Sequence, residues 1–126
     1  MQAINQYNDL HPTITLQNKN IRYRIKINDI KYVEGYNRHI IVYTEGGKYE
    51  AVGKVSDAFD ILAPHGFIRV HQGYLVNINY IRVFDKTDVI LTDGTKVMIS
   101  ARKRKPALQA FDLFSDLLHY QKLPVT

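Results

Sequence analysis

The chain has 126 residues, enough for one domain with a real core. Its 17 Lys and Arg against 12 Asp and Glu leave a net charge of +5, which favours an anionic partner, nucleic acid or an acidic surface. The absence of cysteine excludes disulfides, thiolate metal sites and a cysteine nucleophile, and it makes a reducing cytoplasm the expected setting.

No run of apolar residues is long enough for a membrane span, and the first ten residues are polar rather than signal-like. Residues 1–12 end in Pro12 and read as a polar tail or linker stub, leaving 13–122 as the expected domain. "TITL" (13–16) is expected to pair with "IRYRIKI" (21–27) across the turn-forming "NKN". In the second of these, Ile21, Tyr23, Ile25 and Ile27 alternate with Arg22, Arg24 and Lys26, the pattern of a half-buried strand with a cationic outer face. "IKYVE" (30–34) follows, then an exposed loop at "GYNR" (35–38), the strand "HIIVYT" (39–44), the turn "EGG" and "KYEAV" (48–52).

A short helix interrupts the strands: Ser56 can cap "DAFDILA", and Pro64 and Gly66 end it. Strand signals resume at "FIRV" (67–70), "YIRVF" (80–84), "DVILT" (88–92) and "KVMIS" (96–100), the last two joined by Asp93 and Gly94 as a hairpin. The glycine turns lead from strand to strand, so they are not phosphate cradles. Residues 106–120 change period: Ala107, Phe111, Phe114 and Leu118 mark an amphipathic helix, with Pro106 suited to its first turn. The fold class is mainly β, with one short internal helix and a C-terminal helix.

Three stretches carry chemistry. "ARKRK" (101–105) places four cations just before the last helix, where they oppose its dipole unless an anion such as phosphate offsets them. The loop at 35–38 and the residue after it bring Asn37, Arg38 and His39 to the surface, residue types that read base edges. "FIRVHQGYLVNINYI" (67–81) sets Arg69, His71 and Gln72 among residues bound for the core. The five histidines show no zinc-ligand spacing, and there is no serine elbow or paired-carboxylate site, so neither a metal, a cofactor nor an enzyme is expected.

That last stretch resembles the signature of the LytTR family of bacterial DNA-binding domains, F-x-R-V-H-R-S-Y-L-V-N-x-x-x-I. Phe67, Arg69, Val70, His71, Tyr74, Leu75, Val76, Asn77 and Ile81 match it. "INDIKYVEGYNRHIIVYTEGGKYEA" is similar to the family's strand, polar loop and hairpin, and "VILTDGTKVMISARKRK" to its closing hairpin, so the resemblance runs from about residue 14 to 112. It implies a stack of small antiparallel sheets that binds DNA through loops entering neighbouring major grooves. Carried over, those are the loop of Arg38 and His39, the segment after His71, and the turn after Ser100 with Arg102.

The expected DNA-binding residues are therefore Asn37, Arg38, His39, Arg69, His71, Gln72, Arg102, Lys103 and Lys105, with Arg22, Arg24, Lys26 and Arg104 adding phosphate affinity. Arg69 and His71 either brace the loop or touch a base; Asn77 is expected to cap a turn. Gln72 and Gly73 stand where the family commonly has Arg and Ser. This implies an altered base preference, a shallower salt dependence and a loop freed by glycine that orders on DNA. The resemblance also implies direct-repeat sites bound by two copies, and either a receiver domain on the same protein or a standalone regulator. The rival reading is a protein-interaction module whose cationic strand meets an acidic partner, with only non-specific nucleic-acid affinity. RNA binding is disfavoured because the strands lack paired stacking aromatics.

Overall fold

A computed structural model describes residues 11–124. The polar residues 1–10 of the expected tail lie outside the described residues. The strands are β1 (Thr13–Asn18), β2 (Ile21–Lys26), β3 (Ile30–Tyr36), β4 (His39–Thr44), β5 (Gly47–Val52), β6 (Phe67–His71), β7 (Tyr74–Asn77), β8 (Ile81–Phe84), β9 (Asp88–Leu91) and β10 (Lys96–Met98). Two helices join them, α1 (Val55–Leu62) and α2 (Ala101–Leu117). The strands form three antiparallel sheets, β1-β2, β5-β4-β3-β7-β6 and β10-β9-β8, the stack the sequence leads one to expect.

The five-stranded sheet is the middle layer. Alternation along each strand divides its side chains between two cores. One face carries Ile30, Val33, Ile40, Val42, Phe67 and Leu75, which pack against Ile14, Leu16 and Ile25 of the β1-β2 ribbon and Val55, Ala58 and Leu62 of α1. Ile68, Val70 and Val76 on the other face pack against Val89, Leu91 and Val97 of the three-stranded sheet and Ala107 of α2. Burying a side chain of this size contributes roughly 1.5–3 kcal/mol each, so the two cores fix the middle sheet from both sides.

Polar contacts lock the layers in register. Asn77 is 1% exposed; its Nδ2 donates to the Ile30 carbonyl at 2.9 Å, and its Oδ1 accepts from the Asn79 amide at 3.0 Å, capping the turn Ile78–Tyr80 as expected. Glu34 accepts from the hydroxyls of Tyr43 (3.0 Å) and Tyr74 (3.3 Å), joining β3 to both its neighbours. Burial first, and then this carboxylate, hold Tyr43 well above the usual tyrosine range. Lys31 donates to Asp93 at 2.8 Å, tying β3 to the β9–β10 turn.

Four elements differ from expectation. β7 is an additional strand, placed between β3 and β6. Gly35 belongs to β3 rather than to the loop, which shrinks to Asn37 and Arg38. α1 starts at Val55 with Lys54 as its cap residue, so Ser56 lies inside the first turn. α2 starts at Ala101, because the Ser100 hydroxyl accepts from the Lys103 amide and caps the helix there. The basic run thus forms the first turns of α2, and Pro106 sits inside the helix, where it leaves one carbonyl without its helical partner.

Candidate nucleic-acid interface

One end of the middle sheet gathers the residues that the sequence singles out. β3 and β4 are joined there by the two-residue turn of Asn37 (φ 46°) and Arg38 (φ 61°), both in the left-handed region as a tight hairpin requires. Asparagine tolerates that conformation, and arginine adopts it at some cost; the Arg38 side chain is exposed. The β6–β7 turn (residues 72–73) and the start of α2 lie at the same end, because β6 runs toward it and the Ser100 amide donates to the Val70 carbonyl at 2.9 Å.

The segments are bonded to one another. The Gly35 amide donates to the Gly73 carbonyl at 2.9 Å, and the Gly53 amide donates to the Arg38 carbonyl at 2.9 Å. Arg69 donates from Nη2 to the Gln72 carbonyl at 2.7 Å, and the Gly73 amide donates to His71 Nδ1 at 3.0 Å. Arg69 and His71 therefore brace the loop. Gly73 is pinned at both its amide and its carbonyl, and an added Cβ would lie 3.3 Å from the Gly35 carbonyl oxygen, so the expected freedom of this glycine is not found.

These bonds fix the histidine tautomers. His39 Nδ1 lies 3.0 Å from the Asn37 carbonyl, which only accepts, so Nδ1 donates. His71 Nδ1 accepts from an amide, so its proton is on Nε2, which is a donor.

Two grooves result. One, of about 480 Å³, is lined by Asn37, Arg38, His39, Lys54, Ser56, Arg69, His71 and Gln72. The second, of about 430 Å³, is lined by Arg69, His71, Gln72, Ser100, Arg102 and Lys103. Arg69, His71 and Gln72 line both, so the grooves are contiguous, and among the described residues no carboxylate lines either. The Nε of Arg69 is buried and has no hydrogen-bond partner among the described residues.

The remaining cations lie elsewhere. Lys105 is exposed on α2 and lines neither groove. Arg104 turns away, its Nε donating to the Lys86 carbonyl at 3.0 Å. Arg22, Arg24 and Lys26 project from the outer face of the β1-β2 ribbon. Lys54 is not singled out from sequence and Ser56 only as a helix cap; the signal available was a basic and a hydroxyl residue at the start of a helix that follows Gly53.

Among the described residues no cluster of His, Asp or Glu could hold a metal ion, and no helix is long and apolar enough to cross a membrane. The family model described as the LytTr DNA-binding domain matches residues 20–112. Transcriptional regulatory protein YpdB of Escherichia coli O6:H1 (strain CFT073) is 38% identical over 56 residues, which are 44% of this chain and 23% of that protein's length. A LytTr DNA-binding domain from Bacillus cereus has the same fold, with a TM-score of 0.61 at 21% identity over 86% of this chain and 97% of the other. The match extends over most of the chain and takes in all three groove-lining segments; the chain belongs to the LytTR family, whose members are DNA-binding domains of transcription regulators and not enzymes.

Proposed function

We propose that this domain recognises specific double-stranded DNA sequences for a transcription regulator, with the two grooves set over successive major grooves. The single observation that carries this is the contiguous surface built from three bonded segments, which concentrates cations and hydrogen-bonding side chains and excludes carboxylates. Asn37, Arg38, His39, Gln72 and Arg102 carry free polar heads suited to base edges. Lys54, Ser56, Lys103 and Lys105 suit phosphates, as does the N-terminus of α2. Arg69 and His71 position the middle segment and offer donors from the groove floor. Arg104, Arg22, Arg24 and Lys26 add long-range attraction outside the grooves.

As the regulator's effector unit, alone or beside a receiver domain, the module would act as two copies on direct repeats. The test compares Arg102→Ala with Lys103→Ala on a bound sequence and its single-base variants. Arg102→Ala is expected to cost about 1–3 kcal/mol on the preferred sequence and to relax preference at one base pair. Lys103→Ala is expected to weaken all sequences alike. Equal, sequence-independent losses from both would contradict base reading by Arg102.

A further inference from the structure

The β1-β2 ribbon has a charged outer face that the base-reading grooves do not use. Residues 13–26 contain no carboxylate, and Lys19, Arg22, Arg24 and Lys26 are all exposed. None of these four side chains makes a hydrogen bond or ion pair among the described residues. Arg22, Arg24 and Lys26 lie opposite Gln17, Thr15 and Thr13, so the outer face is a polar surface with a cation about every 7 Å along β2. The inner face, with Ile14, Leu16 and Ile25, is held in the core, so the cations have a fixed direction.

The ribbon also has a fixed place beside the grooves. Its lower end is set by the Ile27 amide donating to the Pro12 carbonyl, next to Ile30 at the end of the sheet that carries Thr44 and Gly47. Tyr23 packs on Tyr49, two residues further along β5, with ring centroids 5.0 Å apart. β1-β2 therefore climbs alongside β5 toward Val52 and Gly53, the end where the grooves lie, and its tip at Lys19 points that way. The segments that line the grooves succeed one another across the sheet from the β4 side to α2. β1 of the ribbon packs on β5, the edge strand on the β4 side of that sheet.

We infer that the β1-β2 ribbon is a second contact to the DNA backbone, gripping the duplex that flanks the base-reading grooves on the β5 side. This rests on the DNA-binding reading above. It assigns the ribbon to flanking phosphates rather than to an acidic protein, because its tip and the grooves share one end of the molecule. A duplex that reaches the outer face must curve around that end, so the contact also favours DNA that bends readily there.

The experiment measures the slope of log affinity against log salt on random-sequence duplexes of about 15 and about 40 base pairs. It uses wild type, an Arg22→Gln/Arg24→Gln/Lys26→Gln variant and a charge-retaining Arg22→Lys/Arg24→Lys variant. On the long duplex the neutralised variant is expected to lose about 2–3 units of slope and the charge-retaining one less than about 1, and on the short duplex the neutralised variant also loses less than about 1, the share of long-range attraction alone. Equal slopes for wild type and the neutralised variant on the long duplex would overturn the inference. So would an equal loss on both lengths, or a loss from the charge-retaining variant as large as from the neutralised one. Base reading is scored separately by the sequence preference of Arg102→Ala, so either idea can fail alone. Acid or heat unfolding of the variants, which change only exposed positions, separates loss of fold from loss of contact.

Discussion

The amide of Gly35 donates to the carbonyl of Gly73 at 2.9 Å, and this bond joins two of the three segments that line the grooves. Both partners are glycines for steric reasons that differ. A Cβ on Gly35 would come within 2.6 Å of Val55 Cγ2, at the start of α1, while one on Gly73 would press on the Gly35 carbonyl. The proposed DNA-facing surface is thus held together by close approaches that a side chain at either position would disturb.

Gly35→Ala should therefore act at two levels. Overpacking against Val55 is expected to cost about 1–3 kcal/mol of stability, read by urea unfolding. The Asn37 and Arg38 turn should shift with it, and DNA affinity should fall in the fraction that remains folded. Unchanged unfolding would mean that α1 yields more easily than its packing indicates.

Asn77→Ala should separate stability from binding. Its side chain is buried and satisfies the buried Ile30 carbonyl and the part-buried Asn79 amide, so its loss leaves the Ile30 carbonyl unpaired and uncaps the turn. A cost of about 1–3 kcal/mol is expected in thermal or urea unfolding. Asn77 lies at the end of the sheet away from the grooves, so DNA affinity of the folded variant should be close to wild type.

Gln72 should be replaceable without harm to the loop. Arg69 bonds the main-chain carbonyl of Gln72, not its side chain, so Gln72→Ala and Gln72→Arg keep the brace. Gln72→Arg is expected to move selection at one position from adenine toward guanine and to steepen the salt slope by about 1 unit. An identical selected sequence and slope would remove Gln72 from the interface.

The Lys31–Asp93 pair sets a pH dependence of stability. The hydrogen bond from Lys31, and then those from Thr95, hold the Asp93 carboxyl below the usual carboxylate range. A depressed carboxylate contributes stability that is full above its unfolded pKa and disappears as pH falls through the folded one. Because Asp93 is 39% exposed, the pair is screened by solvent and Asp93→Asn is expected to cost less than about 1 kcal/mol at neutral pH. That difference should shrink progressively below about pH 4, as followed by urea unfolding across the acid range.

Much of this architecture is legible in the sequence, for definable reasons. β2, β4 and the β9-β10 hairpin have one buried face each, and the period of two exposes them. β7 has none of that signal: Leu75, Val76 and Asn77 are all buried, since the strand lies in the middle of a sheet covered on both faces, and a continuous apolar run has no period to read. The start of α2 was hidden by chemistry that argues against a helix, four cations in its first turns and a proline at its sixth position; the Ser100 cap and packing on β6 prevail. Arg38, Gln72 and Arg102 were readable as surface groups, whereas the bonds that bring their segments together, Gly35 to Gly73 and Ser100 to Val70, are backbone contacts between residues far apart in the chain, and composition carries no trace of those. Lys54 enters the groove only through the Gly53 to Arg38 bond and shares that limitation.

In vitro selection from a random duplex library at about 0.15 M salt, where non-specific phosphate binding weakens, tests the central claim most directly. The account predicts an enriched pool with a pair of similar half-sites separated by whole helical turns. A flat pool that binds only in a salt-sensitive, sequence-independent manner would contradict it and leave the grooves as a general polyanion surface.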